Sequence, residues 1–134
     1  MIFDTVVVDP SVLVAIFKNE SDGVQLTERL TSYKRRIVSA ATWLESSIVC
    51  ESPSQRTGAT NLTEIVAELR IEVVPFTGEQ ARIAFDAFKR FGKGRGAKAS
   101  LNFGDCFVYA LAKELGAPLL FKGDDFAQTD ITAA

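Results

Sequence analysis

The sequence predicts an α/β fold in which a short, mainly parallel central sheet is flanked by helices. Apolar runs at residues 6–8 and 118–121 have the length and composition of buried strands. Between such runs, apolar residues recur every three or four positions, as in the segment Gly78–Phe91, and this spacing is typical of an amphipathic helix. Strands that alternate with helices favour parallel pairing through right-handed crossovers.

The first half of the chain predicts two strand–helix units. The strand 6–8 ends at Asp9, and Pro10 suits the first position of the following helix because the missing N–H of proline has no partner there. A further helix is predicted at about 21–33. The second unit combines a strand at 36–39 with a helix at 40–51, and the Pro-, Ser-, Thr- and Gly-rich segment 52–61 is predicted to be a loop or an irregular helix start.

The second half continues the alternation. A helix at 62–69 precedes a strand at 71–75, and the helix Gly78–Phe91 is followed by a glycine-rich basic loop at 92–98. Asn102 can cap the next helix, and Gly116 can end it. The last strand, at 118–121, leads into a turn at 123–126.

Composition restricts the classes of function. A chain of 134 residues with 47% apolar content suits one domain with a real core. The net charge of -2 and the pI near 5.2 argue against an overall basic surface, so any nucleic-acid site must be local. The sequence shows neither a signal peptide nor a membrane span, which predicts a cytoplasmic protein.

The residue types that are missing restrict the chemistry. The chain contains no histidine, which excludes a Ser-His-Asp or Cys-His nucleophile. Cys50 and Cys106 are too few for a zinc cluster or a disulfide framework. Carboxylates are left to carry any acid–base or metal chemistry.

Four carboxylates are candidates for one site. Asp9 and Asp124 each follow an apolar strand, and the carboxyl ends of parallel strands share one edge of the sheet. Asp105 lies in the first turn of its helix, where the helix dipole favours a negative charge. Glu45 lies beside an apolar helical stripe, which is an unusual place for a charge.

Convergence of these acids would require a counter-charge. Each close pair would repel by about 4 kcal/mol at roughly 4 Å and an effective dielectric of about 20. A divalent cation relieves that repulsion, and an oxygen-only donor set suits Mg²⁺ or Mn²⁺. Such ions support the hydrolysis of phosphodiesters. The sequence therefore predicts a metal-dependent phosphodiesterase.

Each candidate also has a purely structural interpretation. Asp9 and Asp105 can serve as helix caps, Glu45 can reach solvent, and Asp124 with Asp125 can serve turn geometry. Ser11 can orient Asp9 or a bound water, or only cap the helix. The basic loop, with Lys93, Arg95 and Lys98, can be solvated, or it can hold a phosphate backbone near the acids.

Three segments closely resemble the PIN-domain toxins of bacterial VapBC toxin–antitoxin pairs. They are VVVDPSVLVAI, ATWLESSIV and LNFGDCFVYALAKELGAPLLFKGDDFAQTDI, which together extend over nearly the whole chain. The resemblance assigns the family's four acids to Asp9, Glu45, Asp105 and Asp124, with Asp9 and Asp105 as the firmest metal ligands. Asp124 is preferred over Asp125 because it directly follows the glycine, and Asp4 is rejected because too little strand precedes it.

The resemblance implies a single PIN domain over residues 1–134, with a three-layer α/β/α fold. It further implies a Mg²⁺-dependent endoribonuclease in which Mn²⁺ can substitute, which inhibits translation and is neutralised by a cognate VapB-type antitoxin. Homodimerisation and a structured RNA substrate, such as transfer or ribosomal RNA, are also implied.

Three other functions compete with this interpretation. A haloacid-dehalogenase-type phosphatase needs a second acid two residues after its nucleophile, and Ser11 occupies that position after Asp9. A response-regulator receiver is also a small α/β domain with an acidic pocket, and it presents its phosphoacceptor aspartate at the end of a central strand. A catalytically degenerate PIN domain that only binds protein or RNA is the remaining alternative.

Overall fold

The computed structural model describes residues 4–54 and 57–134. Four strands form a single sheet in the order β3-β2-β1-β4, and all of its strand pairs are parallel. In chain order the elements are β1 Thr5–Val8, α1 Pro10–Phe17, α2 Gly23–Thr31, β2 Arg35–Ser39, α3 Ala40–Cys50, α4 Gly58–Glu68, β3 Ile71–Val74, α5 Gly78–Phe91, α6 Phe103–Leu115 and β4 Leu119–Leu120.

The central strand β1 separates two hydrophobic cores. Val7 packs on one face of the sheet with residues of α5 and α6, whereas Val6 and Val8 pack on the other face with residues of α1 to α4. This division follows from the strand geometry, because successive side chains point to opposite faces. The predicted three-layer α/β/α fold is confirmed.

The carboxyl ends of β1 and β4 lie side by side. Val8 pairs with Leu120, and the backbone N–H of Asp9 donates to the carbonyl of Leu120 at 3.0 Å. Asp9 and the turn that follows β4 therefore share one edge of the sheet. Ser39 ends β2 at the same edge and caps α3 through a hydrogen bond from the N–H of Ala41 at 3.2 Å.

The C-terminal segment covers the outer edge of β4. The N–H of Leu119 donates to the carbonyl of Thr132, and the N–H of Ala134 donates to the carbonyl of Leu119, both at 2.9 Å. Asp130 fastens this segment to α6, since it accepts hydrogen bonds from the Tyr109 hydroxyl at 2.6 Å and from Lys113 at 2.7 Å.

The predicted elements differ from the observed ones mainly at their ends. Helix α4 begins at Gly58, so the segment 52–61 contains the helix start that was one of its two predicted forms, and Gln55 and Arg56 lie outside the described residues. The sequence does not give the first residue of this helix, because glycine and threonine are weak helix formers. None of the helices in the described ranges has the length and apolar character needed to cross a membrane.

Candidate active site

Asp9 is a buried acid at the end of β1, with 5% of its surface exposed. Its Oδ2 accepts the N–H of Ser11 at 2.9 Å and caps α1, and it also accepts the Ser11 hydroxyl. Its Oδ1 is buried without a hydrogen-bond partner among the described residues. A carboxylate oxygen left in this state is costly unless a cation or a proton satisfies it.

Burial raises the pKa of Asp9 to about 6, against the opposing effect of the two hydrogen bonds from Ser11. The negative charges of Asp105 and Asp125 raise this pKa further. The side chain therefore takes up a proton at a higher pH than an exposed aspartate does.

Asp105 lies in the first turn of α6 and is 8% exposed. It forms a capping box with Asn102: the N–H of Asn102 donates to its Oδ2 at 3.0 Å, and its own N–H donates to Oδ1 of Asn102 at 2.9 Å. Burial also raises its pKa to about 6, with the charges of Asp125 and Glu45 adding to the rise. Asp105 thus closes the capping box at the start of α6 and lies near the other acids.

Glu45 reaches this site from α3 across the first turn of α6. Its carboxylate lies directly over Gly104, where an added Cβ would come within 2.4 Å of Oε1. Oε1 is buried without a hydrogen-bond partner among the described residues, and burial raises the pKa of Glu45. Gly104 therefore makes the space that brings Glu45 beside Asp105.

The turn after β4 contributes a fourth carboxylate. The sequence favours Asp124, but the charge that raises the pKa of both Asp9 and Asp105 belongs to Asp125. Both aspartates of the turn are exposed, and Asp124 contributes to neither of these shifts. Asp125 is therefore the aspartate of the turn whose charge acts on both Asp9 and Asp105, while a role for Asp124 stays a prediction.

Ser11 connects the turn after β4 to Asp9. Its hydroxyl accepts the N–H of Lys122 at 3.0 Å and donates to Asp9 Oδ2. The Lys122 ammonium is held away by Glu20 at 2.8 Å and Asp22 at 3.0 Å. Ser11 thus orients Asp9, one of the two roles that the sequence left open, whereas the cap of α1 is Asp9 itself.

The donor set fits a small hard cation. In the part of the chain that the structure describes, no three acidic or thiol side chains are close enough to enclose an ion. Mg²⁺ does not need such a cage, because it keeps several waters and uses one or two protein carboxylates. The unpartnered Oδ1 of Asp9, beside Asp105, offers such a position.

The basic loop leads directly into this site. The N–H of Lys93 donates to the carbonyl of Leu101 at 2.9 Å, and the N–H of Leu101 donates to the carbonyl of Phe91 at 3.0 Å, so the loop is closed at its base just before α6. Three exposed cations lie along it, and none of them pairs with a carboxylate of the described residues; they are Lys93, Arg95 and Lys98.

Residues 6–131 match the sequence model of the PIN domain. The chain belongs to the PIN-domain family. Within that family, this PIN domain is 41% identical over 128 residues to ribonuclease VapC28 of Mycobacterium tuberculosis, covering 96% of each chain. It is 42% identical over 127 residues to ribonuclease VapC of Mycolicibacterium smegmatis, covering 95% of this chain and 98% of the relative.

Solved structures show the same PIN fold. Mycobacterium tuberculosis VapC20, described as a sarcin-ricin loop cleaving toxin, superposes with a TM-score of 0.77 at 14% identity and covers 96% of this chain and 98% of its own. Rickettsia felis VapBC2, bound to a DNA fragment from its promoter, gives a TM-score of 0.71 at 14% identity, with 97% of both chains covered.

One residue beside the acids of this PIN domain, Gly104, was not found from the sequence. Asp124 and Asp125 stay alternatives, with Asp124 preferred from the sequence, because a turn does not reveal which of two adjacent aspartates faces inward. Gly104 carries a signal that could have been used: a glycine in the first turn of a helix, next to a candidate acid, indicates that another group approaches the backbone closely.

Proposed function

We propose that this PIN domain is a Mg²⁺-dependent endoribonuclease toxin of the VapC type, in which Mn²⁺ can substitute. It hydrolyses phosphodiester bonds of RNA and thereby inhibits translation. The observation that carries the proposal is the buried, unpartnered Oδ1 of Asp9, whose pKa is raised by burial and by its acidic neighbours. The ribonuclease names of relatives at 41% and 42% identity support the same activity.

Each side chain has a distinct role in this proposal. Asp9 and Asp105 would hold the ion, and Glu45 with Asp124 or Asp125 would complete the negative surroundings. The ion would supply stabilisation of the charge that develops on the phosphate during hydrolysis. Ser11 fixes the orientation of Asp9, so that Oδ1 points away from the cap and stays free for a ligand.

Substitution of Gly104 by alanine tests the position of Glu45. The new Cβ would overlap the Glu45 carboxylate, a flexible side-chain end that can rotate away without a large cost in stability. We expect Gly104→Ala to lower the cleavage rate roughly 10- to 100-fold, the usual effect of disturbing a supporting group at a metal site. The thermal midpoint should stay nearly unchanged.

A double-mutant cycle supplies the control for Gly104. If the glycine acts through Glu45, Gly104→Ala should add nothing to the loss caused by Glu45→Ala. Additive losses would show that Gly104 acts in another way.

The basic loop would bind the RNA backbone beside the acids. Lysine and arginine side chains that contact phosphates release counterions from the RNA, so each such contact makes the affinity depend more steeply on the salt concentration. We expect replacement of Lys93, Arg95 and Lys98 by glutamine to reduce the slope of log affinity against log salt concentration by roughly 2, at about 0.7 per phosphate contact on single strands. An unchanged slope in fluorescence-anisotropy titrations would remove the loop from the RNA site.

The partners follow from the same proposal. A VapB-type antitoxin would neutralise the toxin, because VapBC2 is a solved complex with the same fold. We also propose that the protein acts in the cytoplasm as a homodimer, and that its substrate is a structured RNA such as transfer or ribosomal RNA.

The direct test is the cleavage of total cellular RNA by purified, antitoxin-free protein. Discrete fragments that appear with Mg²⁺ or Mn²⁺ and disappear with a chelator would support the proposal and identify the substrate. Absence of cleavage with either ion would reject it and favour a PIN domain that only binds protein or RNA.

A further inference from the structure

Phe103 is the most exposed of the large apolar side chains in the described residues, with 80% of its surface accessible. It begins α6, immediately before the Gly104 on which the Glu45 carboxylate lies and two residues before Asp105. A phenyl ring with this exposure loses the benefit of burial. Its position at the rim of the acidic site indicates a ligand.

Two neighbouring aromatic rings hold the ring of Phe103 in place. Phe103 meets Phe107 edge to face at 4.8 Å between ring centroids, and Phe107 meets Phe76 in the same way at 4.7 Å. This aromatic row restricts the orientation of Phe103 although most of its surface faces solvent. A ring that is ordered before binding loses little conformational entropy when a flat ligand stacks on it.

A groove runs beside the ring between α3 and α6. It has a volume of about 330 Å³, and Leu44, Ile48 and Phe107 contribute apolar walls. Glu45 and Gly104 also line it, so the groove opens at the acidic site. Its size and apolar walls suit a flat heterocycle better than a charged group.

The basic loop that precedes Phe103 in the chain favours one kind of ligand. The exposed cations of the basic loop precede the ring in the chain, and hydrogen bonds at Leu101 close that loop next to α6. Cations that track a phosphate backbone, together with an aromatic ring that stacks a base, are the combination by which proteins bind single-stranded nucleic acid. An apolar helix of a protein partner would pack against the ring of Phe103 but would leave the cations of the basic loop without a partner.

We propose that Phe103 is a stacking platform for an unpaired RNA base that flanks the cleaved phosphate. The inference rests on the ribonuclease function proposed above and adds a substrate class to it: the protein cuts RNA where the neighbouring base is unstacked, as in loops and single strands. Phe103 contacts the substrate and sets the specificity of the site.

The test measures binding without cleavage. The probe is a short single-stranded RNA that carries the fluorescent base 2-aminopurine, titrated with Asp9→Asn protein in the presence of a chelator. Stacking on Phe103 should quench the fluorescence. We expect Phe103→Ala to remove the quenching and weaken binding roughly 5- to 100-fold, and Phe103→Trp to restore both.

Leu115→Ala is the control, because Leu115 is also an exposed apolar residue, at 47%, and lies at the opposite end of α6 from Phe103. Thermal melts check that both alanine variants stay folded. Quenching and affinity that are the same with and without the Phe103→Ala substitution would overturn the platform. Loss of self-association with unchanged RNA affinity would assign the ring to a protein interface and would also overturn it.

The outcomes separate the two proposals. If wild-type protein cuts no RNA but the quenching depends on Phe103, the ribonuclease proposal fails and the base platform stands. If RNA is cut and the quenching does not depend on Phe103, only the platform is rejected.

Discussion

Replacement of Asp9 by asparagine should abolish RNA cleavage, with a loss of at least roughly 10²–10³-fold in the single-turnover rate. Asparagine retains an oxygen for the Ser11 cap but removes the negative charge from the buried position. A metal ligand contributes several kcal/mol to the stabilisation of the transition state, and about 1.4 kcal/mol corresponds to tenfold in rate. Asp105→Asn should cause a loss of the same order, since Asp105 faces the same site.

Asp4 provides the control at the opposite end of β1. Its carboxylate is exposed and pairs loosely with Lys34 at 4.0 Å, so Asp4→Asn should leave cleavage unchanged. The same assay distinguishes the adjacent aspartates of the turn, because only the one that faces the site should lower the rate when it is replaced by asparagine. A full rate in Asp9→Asn protein would contradict the assignment of the metal site.

The metal-free protein should become less stable as the pH rises through about 4 to 6. Asp9 has its pKa raised from 3.8 to about 6 in the folded state, so the folded protein binds this proton more tightly than the unfolded chain does. The stabilisation from that proton is complete below pH 4 and is lost as the pH passes 6. For Asp9 alone, the loss is about 3 kcal/mol of the free energy of unfolding. Asp105 changes in the same direction.

Mg²⁺ should reverse this loss at pH 7.5, because a cation that binds only the folded state stabilises it by mass action. Asp9→Asn protein should melt roughly 5–10 °C higher than metal-free wild type and should respond little to Mg²⁺. Scanning calorimetry at pH 5 and 7.5, with Mg²⁺ or a chelator, measures these effects. A midpoint that rises between pH 5 and 7.5 in the chelated wild type would contradict the shared acidic site.

The sequence predicted the structure best where the spacing of apolar residues or a single helix cap determines it. The alternation of Val6, Val7 and Val8 between the two cores follows from strand geometry alone. The cap of α6 by Asn102 and its end at Gly116, which has a φ of 62°, were likewise predictable. Parallel pairing of β1 with β4 then places Asp9 and the last turn at one edge.

Contacts between segments that lie far apart in the sequence could not be predicted from local patterns. The approach of Glu45 to Gly104 depends on how α3 packs against α6, and no local pattern encodes that distance. The difference between Asp124 and Asp125 depends on the backbone of a turn, where a rotation of one residue reverses which side chain faces inward. The exposure of Phe103 could not be predicted from the sequence either, because an apolar residue at the start of a helix is expected to be buried.

The C-terminal segment is part of the scaffold that shapes the acidic site. Strand β4 has only two residues, and the hydrogen bonds of Leu119 with Thr132 and Ala134 hold it against β1 from the outside. The residue that follows Phe121 is Lys122, whose N–H fixes the hydroxyl that orients Asp9. Removal of the chain from residue 131 onward would therefore expose the unpaired edge of β4, which favours aggregation. It would also loosen the Asp9 carboxylate, which lies more than 100 positions away along the chain.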